Sequence, residues 1–426
     1  MPVAPIQFPT ATQRDSSRTQ GKWMALIAAF LGWMFDGMEM GIFPLVARPA
    51  LSEMQRSIGI VDDKFVGHWM GIVTALFLLG AACGGILFGW LGDKIGRVRA
   101  MSASILCYSL FTGLCYFAKE PWHLGFFRFL SALGMGGEWA LGVALVMEIW
   151  PEKNRPLMAG TIGAAANFGY LLIAVLGLLF PITPTSWRWV MLVGAAPALL
   201  TFFIRLFVPE SEKWKTSVEK KSAKPFREIF SPALFKPTVL AIVFASIALI
   251  GTWGSVQWLP LWGDQMAGPT LPKAKAFTQI ASALGAIFGC MVGALIGGRF
   301  GRRPAYFLIS LGSLVSCGYL FREVNTYGNF FLGMVFLVGG ATAAFYGWLP
   351  LYLPELFPTR VRATAQGLAF NFGRVLAAVG ALQMGNLMGH FHGSYAKAGA
   401  VITLVYVFGL FLIWLAPETR GKPLPE

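Results

Sequence analysis

Charge is scarce in this chain. Only 13% of its 426 residues are Asp, Glu, Lys or Arg, about half the share in an ordinary soluble domain. An ordinary soluble fold is therefore not expected. Histidine is rarer still. His68, His123, His390 and His392 are the whole set, and none belongs to a Cys/His cluster of metal-site spacing. His390 and His392 bracket one phenylalanine, and a helix would splay them apart. The five cysteines, Cys83, Cys107, Cys115, Cys290 and Cys317, lie in apolar segments without paired spacing, so they read as packing residues. No G-x-x-x-x-G-K-[ST] loop is present, so direct ATP drive has no support. Residues 1–21 are largely polar and hold no apolar core before a cleavage site, unlike a signal peptide. No metal, cofactor or enzymatic centre is expected.

Apolar residues fill the space instead. They make up 56% of the chain, with 36 Phe, 50 Gly and 15 Trp, as tightly packed helices with aromatic belts require. The net charge of +14 raises the question of nucleic acid. The charge sits in short breaks between apolar runs, so nucleic acid is excluded and the basic loops are expected to face a lipid bilayer.

A bilayer core takes about 20 apolar residues as a helix. Runs of that kind are expected at 23–47, 66–91, 100–118, 122–148, 157–181 and 186–208, then at 237–262, 276–298, 304–321, 328–353, 364–388 and 394–416. The fold class is therefore all-α, with twelve membrane spans in two sets of six. Residues 1–208 form the first bundle with its N-terminal segment, 209–236 a polar linker, and 237–426 the second bundle with its tail. Most Lys and Arg fall in the segments before span one, after each even-numbered span and in the linker. That asymmetry predicts both termini in the cytoplasm.

The two sets echo each other. GWLGDKIGRVR at 89–99 follows span two, and GGRFGRRPA at 297–305 follows span eight. Glu148, Pro151, Arg155 and Gly160 match Glu355, Pro358, Arg362 and Gly367 at one constant offset, and Pro209-Glu210-Ser211 matches Pro417-Glu418-Thr419. Such a repeat implies two homologous bundles with a site at their interface.

With Gly89-x-x-x-Asp93-x-x-Gly96-Arg97-x-Arg99 between spans two and three, the chain resembles the major facilitator superfamily over nearly its whole length. Arg128-Phe-Leu-Ser-Ala-Leu-Gly134, Glu148-x-x-Pro151-x-x-x-Arg155 and Pro209-Glu210-Ser211 are similar to its sugar-porter and organic-acid symporter branch. Gly136-Gly137-Glu138-Trp139 resembles the sialic acid and metabolite:proton symporters. One departure stands out: Gly298 replaces Asp93 in the second copy. The resemblance implies a cytoplasmic gate built from Gly89, Asp93, Gly96, Arg97, Glu148, Arg155, Glu210, Arg302, Glu355, Arg362 and Glu418, with unequal contributions from the halves.

Charges inside the spans demand a function. Asp36, Glu39, Arg128, Glu138 and Arg374 are the five. Asp36 and Glu39 are three apart on one helix, close enough to hold one proton between them and titrate together. The resemblance implies that Asp36 pairs with Arg128, and that protonating Asp36 releases the arginine. Glu39 is the more ambiguous of the two acids. For Glu138 three roles stay open: substrate binding, proton transfer, or neutralising an arginine opposite. Arg374 offers a donor fork for a carboxylate, and a permanent pair with Glu138 is the alternative. Asn371, Asn167, Gln257 and Tyr346 are further substrate candidates, with Gln366 near the inner end of its span. Trp253 and Trp258 can stack on a sugar ring or aromatic acid, and belt or packing is the default reading of Trp258, Trp262 and Trp348.

The expected function is proton-coupled symport, by alternating access, of a small polar organic anion, a monocarboxylate or acidic sugar. The expected site is the cell inner membrane and the default state a monomer. A neutral-sugar symporter and a drug or metabolite exporter are the alternatives.

Overall fold

The computed structural model describes residues 11–57, 63–180, 182–220, 224–268, 271, 273–392 and 394–426. Its α-helices are α1 (Ala11–Ser57), α2 (Asp63–Ile95), α3 (Arg97–Leu114), α4 (Pro121–Met135), α5 (Glu138–Ile149), α6 (Arg155–Leu179), α7 (Trp187–Val193), α8 (Ala198–Phe207), α9 (Glu212–Lys220), α10 (Pro225–Ile229), α11 (Pro232–Gly254), α12 (Leu259–Ala267), α13 (Ala274–Phe300), α14 (Arg302–Glu323), α15 (Asn329–Leu356), α16 (Arg362–His390), α17 (Tyr395–Ile402) and α18 (Val405–Leu412). There is no strand among the described residues. With no water in hydrocarbon to satisfy the backbone, helices are the expected solution for apolar runs of this length.

Ten stretches of the described chain are long and apolar enough to cross a membrane. Of the other two expected spans, residues 186–208 are split into α7 and α8 by a turn over 194–197, and 364–388 lies inside the continuous helix α16. At the start, α1 runs well beyond the apolar window Gln20–Phe43.

Several spans are broken helices, and the breaks place functional groups. Gly136 and Gly137 separate α4 from α5, so Glu138 begins α5. Gly136 packs against the backbone of Ala81 and Gly85, and Gly137 against Phe88; neither site has room for a side chain. A second break at Ser255, between α11 and α12, carries Trp253 and Gln257. Small residues bring helices together along the bundle seams. Gly163 of α6 meets the backbone of Tyr346 in α15, and Gly367 of α16 meets that of Gly85 in α2. Buried side chains form a large cluster that joins α1, α5 and α6 to the helices of the second half. Outward-facing Leu, Phe and Val side chains, such as Phe288, Leu295, Phe408 and Phe411, are left exposed, as a lipid-facing surface needs.

The polar linker is not slack. Trp214 of α9 donates its indole N–H to the carbonyl of Asp93 at 3.0 Å. Glu228 of α10 accepts from Arg360 at 2.7 Å.

Candidate functional site

The closed end of the molecule carries the repeated motifs. Gly96 and Gly301 sit at φ 108° and 103°, a region that favours glycine, and each turns the chain sharply into α3 or α14. Arg97 and Arg302 follow in matching poses. Arg97 donates to the carbonyl of Gly92 at 2.7 Å, and Arg302 to that of Gly297 at 3.1 Å. Arg97 reaches Glu148 at 3.0 Å, and Arg302 reaches Glu355 at 2.5 Å. Glu210 accepts from the N–H groups of Arg97 and Val98, and Glu418 from those of Arg302 and Arg303. Burial works against the Glu418 charge, yet the N–H groups of Arg302, Arg303, Arg420 and Thr419 outweigh it and hold its carboxyl below the ordinary value. For Glu210 burial prevails over its own N–H donors and raises the carboxyl.

The halves differ where they meet. Asp93 reaches across to the N-terminus of α16. It accepts from the N–H of Ala363 at 3.2 Å, the N–H of Thr364 at 2.8 Å and the Thr364 hydroxyl at 2.5 Å. A carboxylate is well placed at the positive end of a helix. Glu148 adds a second tie, to Arg362 at 2.9 Å. Arg362 in turn donates to the carbonyl of Pro425 at 2.9 Å. In the pseudo-symmetric seam the donors are gone. Pro156 stands for Ala363 and has no N–H, Leu157 stands for Thr364 and has no hydroxyl, and Gly298 stands for Asp93. A Cβ at 298 would lie 2.6 Å from Cγ of Pro156. Arg155, the counterpart of Arg362, leaves Nε and one terminal nitrogen without a hydrogen-bond partner. Restoring the acid by Gly298→Asp is therefore expected to loosen this end, not tighten it. Spin labels at Lys153 and Arg420 would read the change as a longer separation; a shorter one would contradict it.

In the first bundle the expected pair of Asp36 with Arg128 is not what forms. Arg128 is bound to Glu39. The same Glu39 oxygen accepts from Thr112 at 2.8 Å and Ser131 at 3.0 Å, and the Arg128 guanidinium lies 4.3 Å from the centroid of Phe77. The two acids are three residues apart, roughly 60° around the helix axis, and that rotation sends them to different neighbours. Removing one member of such a pair strands a buried charge. Arg128→Leu is expected to destabilise the fold by about 3–5 kcal/mol, read as a lowered melting temperature in detergent. An unchanged Tm would show that the Arg128–Glu39 pair does not hold the fold.

Asp36 instead lies within electrostatic reach of Glu138, Arg374 and Glu39. Both oxygens of Asp36 and both of Glu138 lack a hydrogen-bond partner. Ser104 lies near Glu138, but its hydroxyl is spent on the carbonyl of Gly134 at 2.5 Å. The Glu138 carboxylate rests against Gly32 of α1, where an added Cβ would lie 2.6 Å from its Oε2. Arg374 forms no ion pair among the described residues. It accepts order from Asn371, whose Oδ1 it meets at 3.0 Å, and its Cζ sits 5.0 Å from the Phe370 centroid.

Beside this cluster a cavity encloses about 860 Å³ of empty space, counting its open mouth. Of the substrate candidates, Arg374, Asn167, Trp253, Gln257 and Tyr346 line it; Asn371 does not. Reading the sequence missed Tyr170, Gln279, Trp33 and Phe370, which also line it. Helical spacing offered one signal, since Tyr170 follows Asn167 by three residues on α6. Trp33, Tyr170, Trp253, Tyr346 and Phe370 give the wall flat apolar faces, and Arg374 is the cation in it. Gln366 is buried away from the cavity with its amide unpartnered.

This is an all-helical membrane protein whose repeated motifs close one end below a central cavity, which is the build of a transporter and not of an enzyme. Residues 23–382 match the sequence profile of the Major Facilitator Superfamily, and the chain belongs to that family. It is 31% identical to a Haemophilus influenzae protein described provisionally as a metabolite transport protein, over 94% of this chain and 98% of that one. It is also 31% identical to a Cupriavidus pinatubonensis protein described provisionally as a 4-methylmuconolactone transporter, over 92% and 90%. Among solved structures it resembles the proton:xylose symporter XylE, with a TM-score of 0.75 at 15% identity over 96% of this chain and 98% of that one. The latter likeness concerns the fold: twelve helices in two six-helix bundles.

Proposed function

We propose that the protein carries a small organic anion across the membrane together with a proton, by alternating access. The observation that carries this reading is the burial of Asp36, Glu138 and Arg374, with Asp36 in electrostatic reach of both others and Arg374 in the cavity wall. Two interacting buried carboxylates beside one guanidinium reach charge balance when they share one proton. An anionic substrate that docks on Arg374 competes with Asp36 for the cation. Protonating Asp36 frees Arg374 for the substrate carboxylate, so anion and proton enter as a neutral pair. Glu39, held at one oxygen by Arg128, Thr112 and Ser131, supports the first bundle.

The flat aromatic walls favour a planar, unsaturated acid over a sugar. The Cupriavidus relative's named substrate, 4-methylmuconolactone, is itself a small unsaturated acid, which accords with that choice. Asn167, Gln257, Tyr346 and Tyr170 offer polar groups to its far end, and Trp253 a face for stacking.

The gate reading is carried over to the closed end. Gly89, Asp93, Gly96, Arg97, Glu148, Arg155, Glu210, Arg302, Glu355, Arg362 and Glu418 hold it while the cavity is open from the other side. With the lysine and arginine bias, that end faces the cytoplasm, with both termini, in a cell inner membrane. The working unit is the monomer.

Matched acids and neutral analogues test the substrate class. Nicotinate is expected to raise the melting temperature and nicotinamide to leave it unchanged, and cis,cis-muconate to act where its dimethyl ester does not. Stabilisation by neutral sugars with none by acids would favour the sugar-symporter alternative.

A further inference from the structure

We infer that Asn371 is a positioning residue that aims Arg374 into the cavity, and that it can do so only while the two bundles are closed on each other. The inference rests on Arg374 as the anion's partner.

Asn371 is 1% exposed and lies outside the cavity wall. Its chemistry fixes the orientation of its amide. Arg374 has only donors, so it must meet the amide oxygen, at 3.0 Å. The amide nitrogen then serves two carbonyls. One is that of Gly367, a turn back on α16, at 2.9 Å; the other is that of Gly136, in the break between α4 and α5, at 3.3 Å. The second bond crosses from one half of the chain to the other. Gly85 of α2 completes the socket, because any side chain there would take the space of the Asn371 amide.

This arrangement answers a question that Asp36 and Arg374 pose. An arginine within electrostatic reach of the partnerless Asp36 carboxylate in an apolar interior should collapse onto it. Yet Arg374 makes no ion pair with Asp36 or Glu138. Asn371 holds one edge of its guanidinium and leaves the rest to the cavity, in which Arg374 forms part of the wall. Pre-organisation of this kind raises affinity by removing the cost of ordering on binding.

The anchor at Gly136 exists only in the closed seam. When the bundles part there, Asn371 loses half of its grip and Arg374 is free to fall back on Asp36. The anion is then expelled toward the newly opened side. Asn371 thus links the substrate's affinity to the conformation of the transporter without touching the substrate.

A double-mutant cycle on the purified full-length protein tests this. Kd is measured for benzoate, nicotinate, cis,cis-muconate and glucuronate, and the tightest of the four is used. Asn371→Ala is expected to raise Kd about tenfold, and in an Arg374→Ala background to change it less than about twofold, because a residue that acts through another adds nothing once that partner is gone. Gly85→Ala, on the opposite bundle, is expected to weaken binding similarly, and it carries the same test should Asn371→Ala not fold. A Kd unchanged by Asn371→Ala, or an effect that persists undiminished without Arg374, would overturn the inference alone. Arg374→Ala without effect, or no binding of any of the four acids, would overturn the reading of the site and this inference with it.

Discussion

Asp36→Asn is expected to abolish uphill accumulation while leaving exchange of substrate across the membrane in place. The amide keeps the shape of the acid and removes its charge and its proton. Arg374 then stands permanently free, as it does in the protonated state of the native site. Substrate can bind, and the loaded protein can change conformation, but no proton travels with it. In proteoliposomes the steady-state gradient should fall to about unity, while counterflow of labelled substrate continues at a rate within about tenfold of the native protein, or 1.4 kcal/mol in barrier height. The conservative change matters here. Asp36→Glu retains the proton and should retain some coupling. If the Asn variant still accumulates substrate against its gradient, the proton is carried elsewhere, and Glu39 with Arg128 becomes the next candidate.

The second large effect is expected at the closed end. Asp93 is buried, and its two oxygens take three donors from the start of α16, besides the Arg97 guanidinium at 2.8 Å. Hydrogen bonds to a charged acceptor contribute about 1.5–3 kcal/mol each. Asp93→Asn keeps one acceptor, turns an NH2 group toward the donors of Ala363 and Thr364, and loses the favourable charge at the helix end. A loss of about 3 kcal/mol in the closed form shifts a two-state population roughly a hundredfold. Spin labels at Lys153 and Arg420, in a protein whose native cysteines are replaced, should report a new, longer distance. Because the other seam has Pro156, Leu157 and Gly298 in place of these partners, it offers no substitute. A distance distribution unchanged by Asp93→Asn would show that Glu148 and Arg362 close this end without it.

Much of the closed end was legible in the sequence, because its motifs recur in the same order in both halves and their spacing is local. Asp93 with Arg97 is an i,i+4 pair, and the structure places them within 2.8 Å. The in-span charges were legible as a set, since burying them is costly wherever they fall. Their partners were not. The pairing of Glu39 with Arg128 depends on how α1 is rotated against α3 and α4, and three residues of helix leave that open. Asn371 read as a substrate ligand because it is polar and lies in an apolar span. Only the approach of Gly85 and Gly136 shows that it faces the other bundle. Breaks within spans were equally hidden: Gly136-Gly137 looked like packing glycines, and they also set Glu138 at the start of α5.

The central claim is that the anion and a proton cross together as a neutral pair. Uptake of labelled substrate into proteoliposomes tests it most directly, with an acid-outside pH gradient imposed and the membrane potential clamped at zero by potassium and valinomycin. The account predicts transient accumulation above equilibrium that collapses on adding a protonophore and is insensitive to the clamped potential. Uptake that ignores the pH gradient, and stops at equal concentrations with or without it, would contradict the account.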